Sequence, residues 1–167
     1  MQTPSGWRLM ISDDLDSVEA IAAEVHPGFP EDRAVFAERQ RLYPEGTHLL
    51  EVDGKAAGYL LSHPWRWGSL PALNTLLGGI PGDADTFYLH DLALLPRARG
   101  TGAAGMIVAK IIEHARQAGF ETMSLVAVNG SMPFWRRHGF VVDPAPALAE
   151  KLASYEASAR YMVRSLV

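Results

Sequence analysis

Apolar and polar positions along this chain follow two rhythms. Between Gly102 and Ala118, the residues Ala104, Ile107, Val108, Ile111, Ile112 and Ala115 recur three and four apart. That spacing lays one apolar stripe on a helix, and Gly119 is the residue expected just past its end. A second helix is predicted from Asp13 or Asp14 as cap through Leu15, Val18, Ile21, Ala22 and Val25, stopped at His26-Pro27-Gly28. A third covers Glu31 to Leu42, and a short one Ser131 to His138 before Gly139. The other rhythm is that of strands. Trp7–Ile11 opens the chain, and Thr47–Val52 and Ala56–Ser62 form a hairpin across Asp53-Gly54. Thr86–Leu94 is apolar at most positions, as a central strand is. Thr122–Val128, Phe140–Val142 and Tyr161–Leu166 complete the set. Residues 63–84 read as a long irregular segment, and a loop of about 20 residues in a compact domain is usually functional. The order is mixed α/β, with one long helix between two buried strands.

Composition narrows the chemistry. With 167 residues the chain is read as one domain, 1–167. It has no cysteine, which removes disulfides, thiolate metal sites and a cysteine nucleophile. The six histidines show no metal-ligand spacing, so no metal is expected. A net charge of −4 lacks the basic footprint of a nucleic-acid binder. No apolar stretch is long enough for a membrane span and no leader is evident, so a cytoplasmic location is expected.

Gly100-Thr101-Gly102-Ala103-Ala104-Gly105 fits the dinucleotide pattern G-x-G-x-x-G. That pattern wants its glycines directly after a strand and an acid at the end of the next one. Here Leu95 to Arg99 intervene, and the next strand runs into Asn129. The alternative keeps the arginine: Arg99-Gly100-Thr101-Gly102-Ala103-Ala104 is R-x-x-G-x-A between a strand and a long helix. Glycines let backbone N–H groups approach a ligand, and a helix N-terminus favours an anion. With Arg97 and Arg99 beside it, this loop suits a pyrophosphate.

The segment Leu92-Ala93-Leu94-Leu95-Pro96-Arg97-Ala98-Arg99-Gly100-Thr101-Gly102 closely resembles the acyl-CoA-binding motif of the GNAT N-acetyltransferase superfamily. Asn129 to Phe140 resembles that superfamily's next motif, N-x-x-A-x-x-F-Y-x-x-x-G-F. The run Met132 to Phe140 is most similar to the arylalkylamine N-acetyltransferase branch. The fold so implied is a single-domain α+β GNAT fold, with a mixed, mostly antiparallel sheet of about six or seven strands and about four helices.

The resemblance implies acetyl transfer from acetyl-CoA directly to the amine of a small, aromatic or hydrophobic acceptor. The backbone of Leu92, Ala93 and Leu94 is then expected along the pantetheine arm. Arg97 and the N–H groups from Arg99 through Gly100, Thr101, Gly102 and Ala103 to Ala104 are expected on the pyrophosphate. Asn129, Phe134 and Trp135 are expected to face the cofactor, with Arg137 reaching a phosphate or lying on a solvated helix face. His90 is the candidate base, because an imidazole titrates near neutral pH, although a buried histidine bonding its neighbours is the plainer reading. Alternation puts Tyr88 on the same face and Asp91 on the other. Trp135 stands where the family carries an acidic tyrosine, and an indole gives up no proton near neutral pH. Tyr88 is the nearest replacement. His26, Phe29, His63 and Trp65 are candidate acceptor contacts or loop packing. Two other readings stay open: an acyl-CoA-binding regulatory module, and an acetyltransferase acting on proteins or peptides. A homodimer is compatible with each.

Overall fold

Seven strands form one sheet, in the order β1-β2-β3-β4-β5-β7-β6, in the computed structural model, which describes residues 5–167. The strands are β1 (Gly6–Leu9), β2 (Thr47–Val52), β3 (Lys55–Trp65), β4 (Thr86–Leu94), β5 (Thr122–Ala127), β6 (Val141–Val142) and β7 (Arg160–Ser165). The helices are α1 (Leu15–Val25), α2 (Arg33–Leu42), α3 (Ala103–Gln117), α4 (Met132–Arg137) and α5 (Ala149–Ala153). Only β4 and β5 run parallel; every other neighbouring pair is antiparallel.

The apolar stripe of α3 does what its spacing predicts. Ile107, Val108, Ile111, Ile112 and Ala115 pack on Phe87, Leu89, Met123 and Leu125, together with Trp135 and Phe140. On the other face of the sheet, Leu15, Val18, Ile21 and Phe36 of α1 and α2 cover Leu49, Tyr59, Leu61 and Ala93. Two expectations need correction. β3 runs on through His63, Pro64 and Trp65, which pair with Tyr88, Phe87 and Thr86, so these residues belong to a strand and not to the irregular segment. The 144–159 stretch, in which no element was expected, holds α5; five residues are too few to show a helical period.

Two irregularities in β4 place the chemistry. Its register with β3 passes from Ser62↔Leu89 to Leu61↔Asp91, leaving His90 as an extra, bulged residue. A bulge shifts the alternation of all that follows. His90 and Asp91 therefore both look toward the α1–α2 connection, where Glu31 and His26 meet them. The expectation that Asp91 faces away from His90 assumed an unbroken pleat. Secondly, β4 and β5 pair only from Phe87↔Met123 to Leu89↔Leu125. Beyond that point they part, and a cleft opens between them.

Candidate active site

The cleft has a volume of about 450 Å³ and runs from the splayed strands to the start of α3. Leu92 and Leu94 face it from β4, Val126, Val128 and Asn129 from β5 and its end, and Phe134 and Trp135 from α4. Arg99, Gly100, Gly102, Ala103 and Ala104 close its far end. Gly100 and Gly102 have φ of +74° and +84°, and a Cβ built on either meets nothing within 4 Å. Their left-handed backbone turns the loop so that successive N–H groups face outward at the helix start. No acceptor among the described residues takes the N–H of Gly100, Thr101, Gly102 or Ala104. Free donors at a helix N-terminus, beside the Arg99 guanidinium, fit a pyrophosphate. The apolar gap between β4 and β5 fits a pantetheine arm.

Two residues expected at the cofactor, Arg97 and Arg137, have their side chains elsewhere. Arg97 donates to the carbonyls of Val52, Lys55 and Ala56, so it ties the loop to the β2–β3 hairpin. The Thr101 hydroxyl donates to the Ala98 carbonyl and accepts the Ala103 N–H, bracing the loop while its own N–H stays free. Ala93, expected there through its backbone, points its methyl group into the α1–α2 core on the face away from the cleft. Arg137 lies over the Phe134 ring, 6.0 Å from its centroid, outside the cleft lining. Trp135 does line the cleft, as expected, and packs edge-on against Phe134 and Phe140.

A second, smaller recess of about 50 Å³ adjoins the cleft and shares His26, His90, Asp91, Val126 and Val128 with it. Phe29, Glu31, Leu73, Tyr88 and Tyr155 complete its wall. His63 and Trp65 do not line it; His63 packs behind it, 5.7 Å from Tyr88 and 6.3 Å from His90 between ring centroids. Burial holds the His63 imidazole neutral by pushing it down to about 3. Tyr88 is wholly buried, and burial together with the Tyr155 hydroxyl raises its own hydroxyl well above the ordinary tyrosine value. It lies in the recess and not in the cleft, so it walls the acceptor side and is not placed to serve a leaving thiolate.

Two acid–histidine pairs cross between the α1–α2 connection and β4, each supplying one histidine and one acid. His90 Nε2 donates to Glu31 Oε1 at 3.1 Å, with both side chains less than a tenth exposed. Because a carboxylate can only accept, Nε2 carries the hydrogen. The buried Nδ1 has no partner among the described residues. Burial works to raise the Glu31 carboxyl, but the hydrogen bond and charge of His90, with the Asn74 N–H and Arg39, bring it below the usual range. In the other pair, His26 Nε2 donates to Asp91 Oδ1 at 2.7 Å, and Tyr59 donates to Asp91 Oδ2 at 2.5 Å. Neither Glu31 nor Tyr59 was legible as a site residue: both reach the site only through tertiary pairing, 59 and 32 positions from their partners. Among the described residues no cluster suited to a metal ion occurs, and no helix is long and apolar enough to cross a membrane.

Residues 14–140 match the Acetyltransferase (GNAT) family. The chain belongs to that family, whose members are acetyl-CoA-dependent acetyltransferases. The fold agrees: Ard1 from Thermoplasma volcanium superposes with a TM-score of 0.75 at 17% identity, covering 98% of each chain. The ribosomal-protein-S18-alanine N-acetyltransferase from Escherichia coli gives 0.66 at 16% identity, over 98% of this chain and 94% of that one. The GNAT-like decarboxylase GphF, solved with isobutyryl-CoA, gives 0.78 at 16%, over 96% and 99%. No curated protein matches the sequence.

Proposed function

We propose that this acetyltransferase acts on a small primary amine with an apolar or aromatic body, of the arylalkylamine kind. The observation that carries this reading is the recess beside the cleft. Two carboxylates, Glu31 and Asp91, draw an ammonium toward it. Phe29, Leu73, Tyr88 and Tyr155 offer an apolar wall. A volume of about 50 Å³ suits the amine-bearing end of an acceptor.

Acetyl-CoA supplies the acetyl group. The free N–H groups of Gly100, Thr101, Gly102 and Ala104, with Arg99, hold its pyrophosphate, and Phe134 and Leu92 exclude water from the arm. An ammonium cannot attack a thioester until it loses a proton. The unpartnered Nδ1 of His90 accepts that proton, and Glu31, on the other ring nitrogen, steadies the imidazolium that results. No cysteine is present to carry the acetyl group, so transfer is direct.

Calorimetric titration with acetyl-CoA, with NADH as control, tests the loop. A panel of amines and free-N-terminal peptides, read by thiol release, tests the acceptor. Acetyl-CoA is expected to bind and NADH not, and an apolar monoamine is expected to turn over fastest. Faster turnover of a peptide would move the acceptor to proteins, as for the ribosomal-protein-S18-alanine N-acetyltransferase. His90→Gln is expected to lower kcat by about 10²–10⁴ while leaving acetyl-CoA affinity within about threefold.

A further inference from the structure

The loop between β4 and α3 must hold several N–H groups in one fixed fan, yet it is built on glycines, the residues with the most backbone freedom. Thr101 braces its middle; its two ends are pinned from outside, by the far half of the sheet. The Leu95 N–H donates to the Ala57 carbonyl of β3 at 2.8 Å. Two residues on, Arg97 sends its guanidinium to the tip of the β2–β3 hairpin. Its Nη1 donates to the Val52 carbonyl at 3.3 Å, and its Nη2 to those of Lys55 at 3.3 Å and Ala56 at 2.7 Å. These three carbonyls lie on both sides of the Asp53-Gly54 turn, whose φ values are +53° and +75°. At the other end, the indole N–H of Trp7 in β1 donates at 2.8 Å to the Ala103 carbonyl, in the first turn of α3.

We infer that Arg97 is a positioning residue of the cofactor site: bonded to the hairpin tip, it holds the glycine loop in the shape that takes the pyrophosphate, while Trp7 clamps the helix start. This rests on the pyrophosphate reading of the loop given above. A loop that is free to move must become ordered when its ligand arrives, and affinity falls by that cost. A loop pinned at both ends has been ordered already, on folding. The free N–H groups then stand ready for the anion before it binds.

The two arginines of the loop divide the work. Arg99 lines the cleft, and its Nε donates to the Leu94 carbonyl at 3.2 Å. Arg97 does not line the cleft, and both its terminal nitrogens are committed to the hairpin. What Arg97 brings is a planar fork that spans three carbonyls at once. An ammonium on a flexible stem is a point charge and cannot reproduce that geometry. Arg97 therefore acts through its shape, and a lysine in its place keeps the charge and loses the function.

The test compares two ligands on wild type, Arg97→Ala and Arg97→Lys. Acetyl-CoA and S-acetylpantetheine share the thioester and the arm, but S-acetylpantetheine stops short of the pyrophosphate. Calorimetry gives the dissociation constant of the first, and the amide NMR shifts of the cleft give that of the second, weaker ligand. Arg97 is exposed, so its replacement leaves the core intact. Both variants are expected to bind acetyl-CoA about tenfold more weakly, and S-acetylpantetheine within about twofold of wild type. Arg97→Lys with wild-type affinity for acetyl-CoA makes charge the means and overturns the inference. Arg97→Ala with wild-type affinity overturns it too, as does an equal loss for both ligands, which marks a general loosening of the fold. Each of these leaves the pyrophosphate reading standing. Wild type that binds acetyl-CoA no more tightly than S-acetylpantetheine overturns both.

Discussion

Arg39 carries a full positive charge with 1% of its surface exposed. Its Nη1 donates to Glu38 at 3.0 Å, and both terminal nitrogens reach the Thr75 carbonyl. Glu38 in turn accepts the N–H groups of Leu77 and Gly78. One helix thus anchors the 66–85 segment by a buried ion pair. Removing one partner of such a pair leaves a lone charge out of water, so Arg39→Ala is expected to cost about 3–5 kcal/mol in urea unfolding. At this scale the sequence was partly readable. His90 stood out as an imidazole at a motif-strand position, and His26 only as a candidate acceptor contact beside Phe29. Their acid partners were hidden, because a carboxylate beside a proline or on a strand looks like any surface acid until the chain folds back on it.

Among the elements, the loop leading into α3 was the most legible, since glycine at a positive φ and arginine beside it have few other uses. Gly102→Val is expected to weaken acetyl-CoA binding by about tenfold or more, because a β-branched residue at φ +84° strains the turn. Its Cβ would stand in open cleft, not in the core, so far-UV circular dichroism should stay that of wild type while calorimetry reports the loss. The β4 bulge had no such signature. Strand alternation is a rule about unbroken pleats, and one extra residue at His90 reverses it for Asp91, Leu92 and Ala93. The reading of Asp91 failed there, although the strand's existence and ends were right. The extension of β3 was masked in a similar way by His63-Pro64, a pair that breaks the strand pattern without breaking the strand.

For the molecule as a whole, buried histidines make stability depend on pH. Burial lowers His48 to about 4, with Lys110 and His114 adding to the effect, and lowers His63 to about 3. Below 6.5 the unfolded chain takes up these protons and the folded chain does not. Their contribution is complete above that pH and is lost as pH falls toward 4, on the order of 3 kcal/mol for His48 alone. His26 acts with the opposite sign: raised in the fold, it stabilises below its unfolded value and ceases to do so as pH rises through its folded one. Thermal melts should therefore show the midpoint dropping between pH 6.5 and 4, and His48→Leu should flatten the drop. The two crossed dyads carry a further consequence, one of access. They bolt the span from His26 to Glu31 onto β4 at two places, and each bolt joins partners from both sides. Any acceptor that needs this span moved must break both at once, so the two bolts set the work of opening this side of the recess jointly and not one at a time.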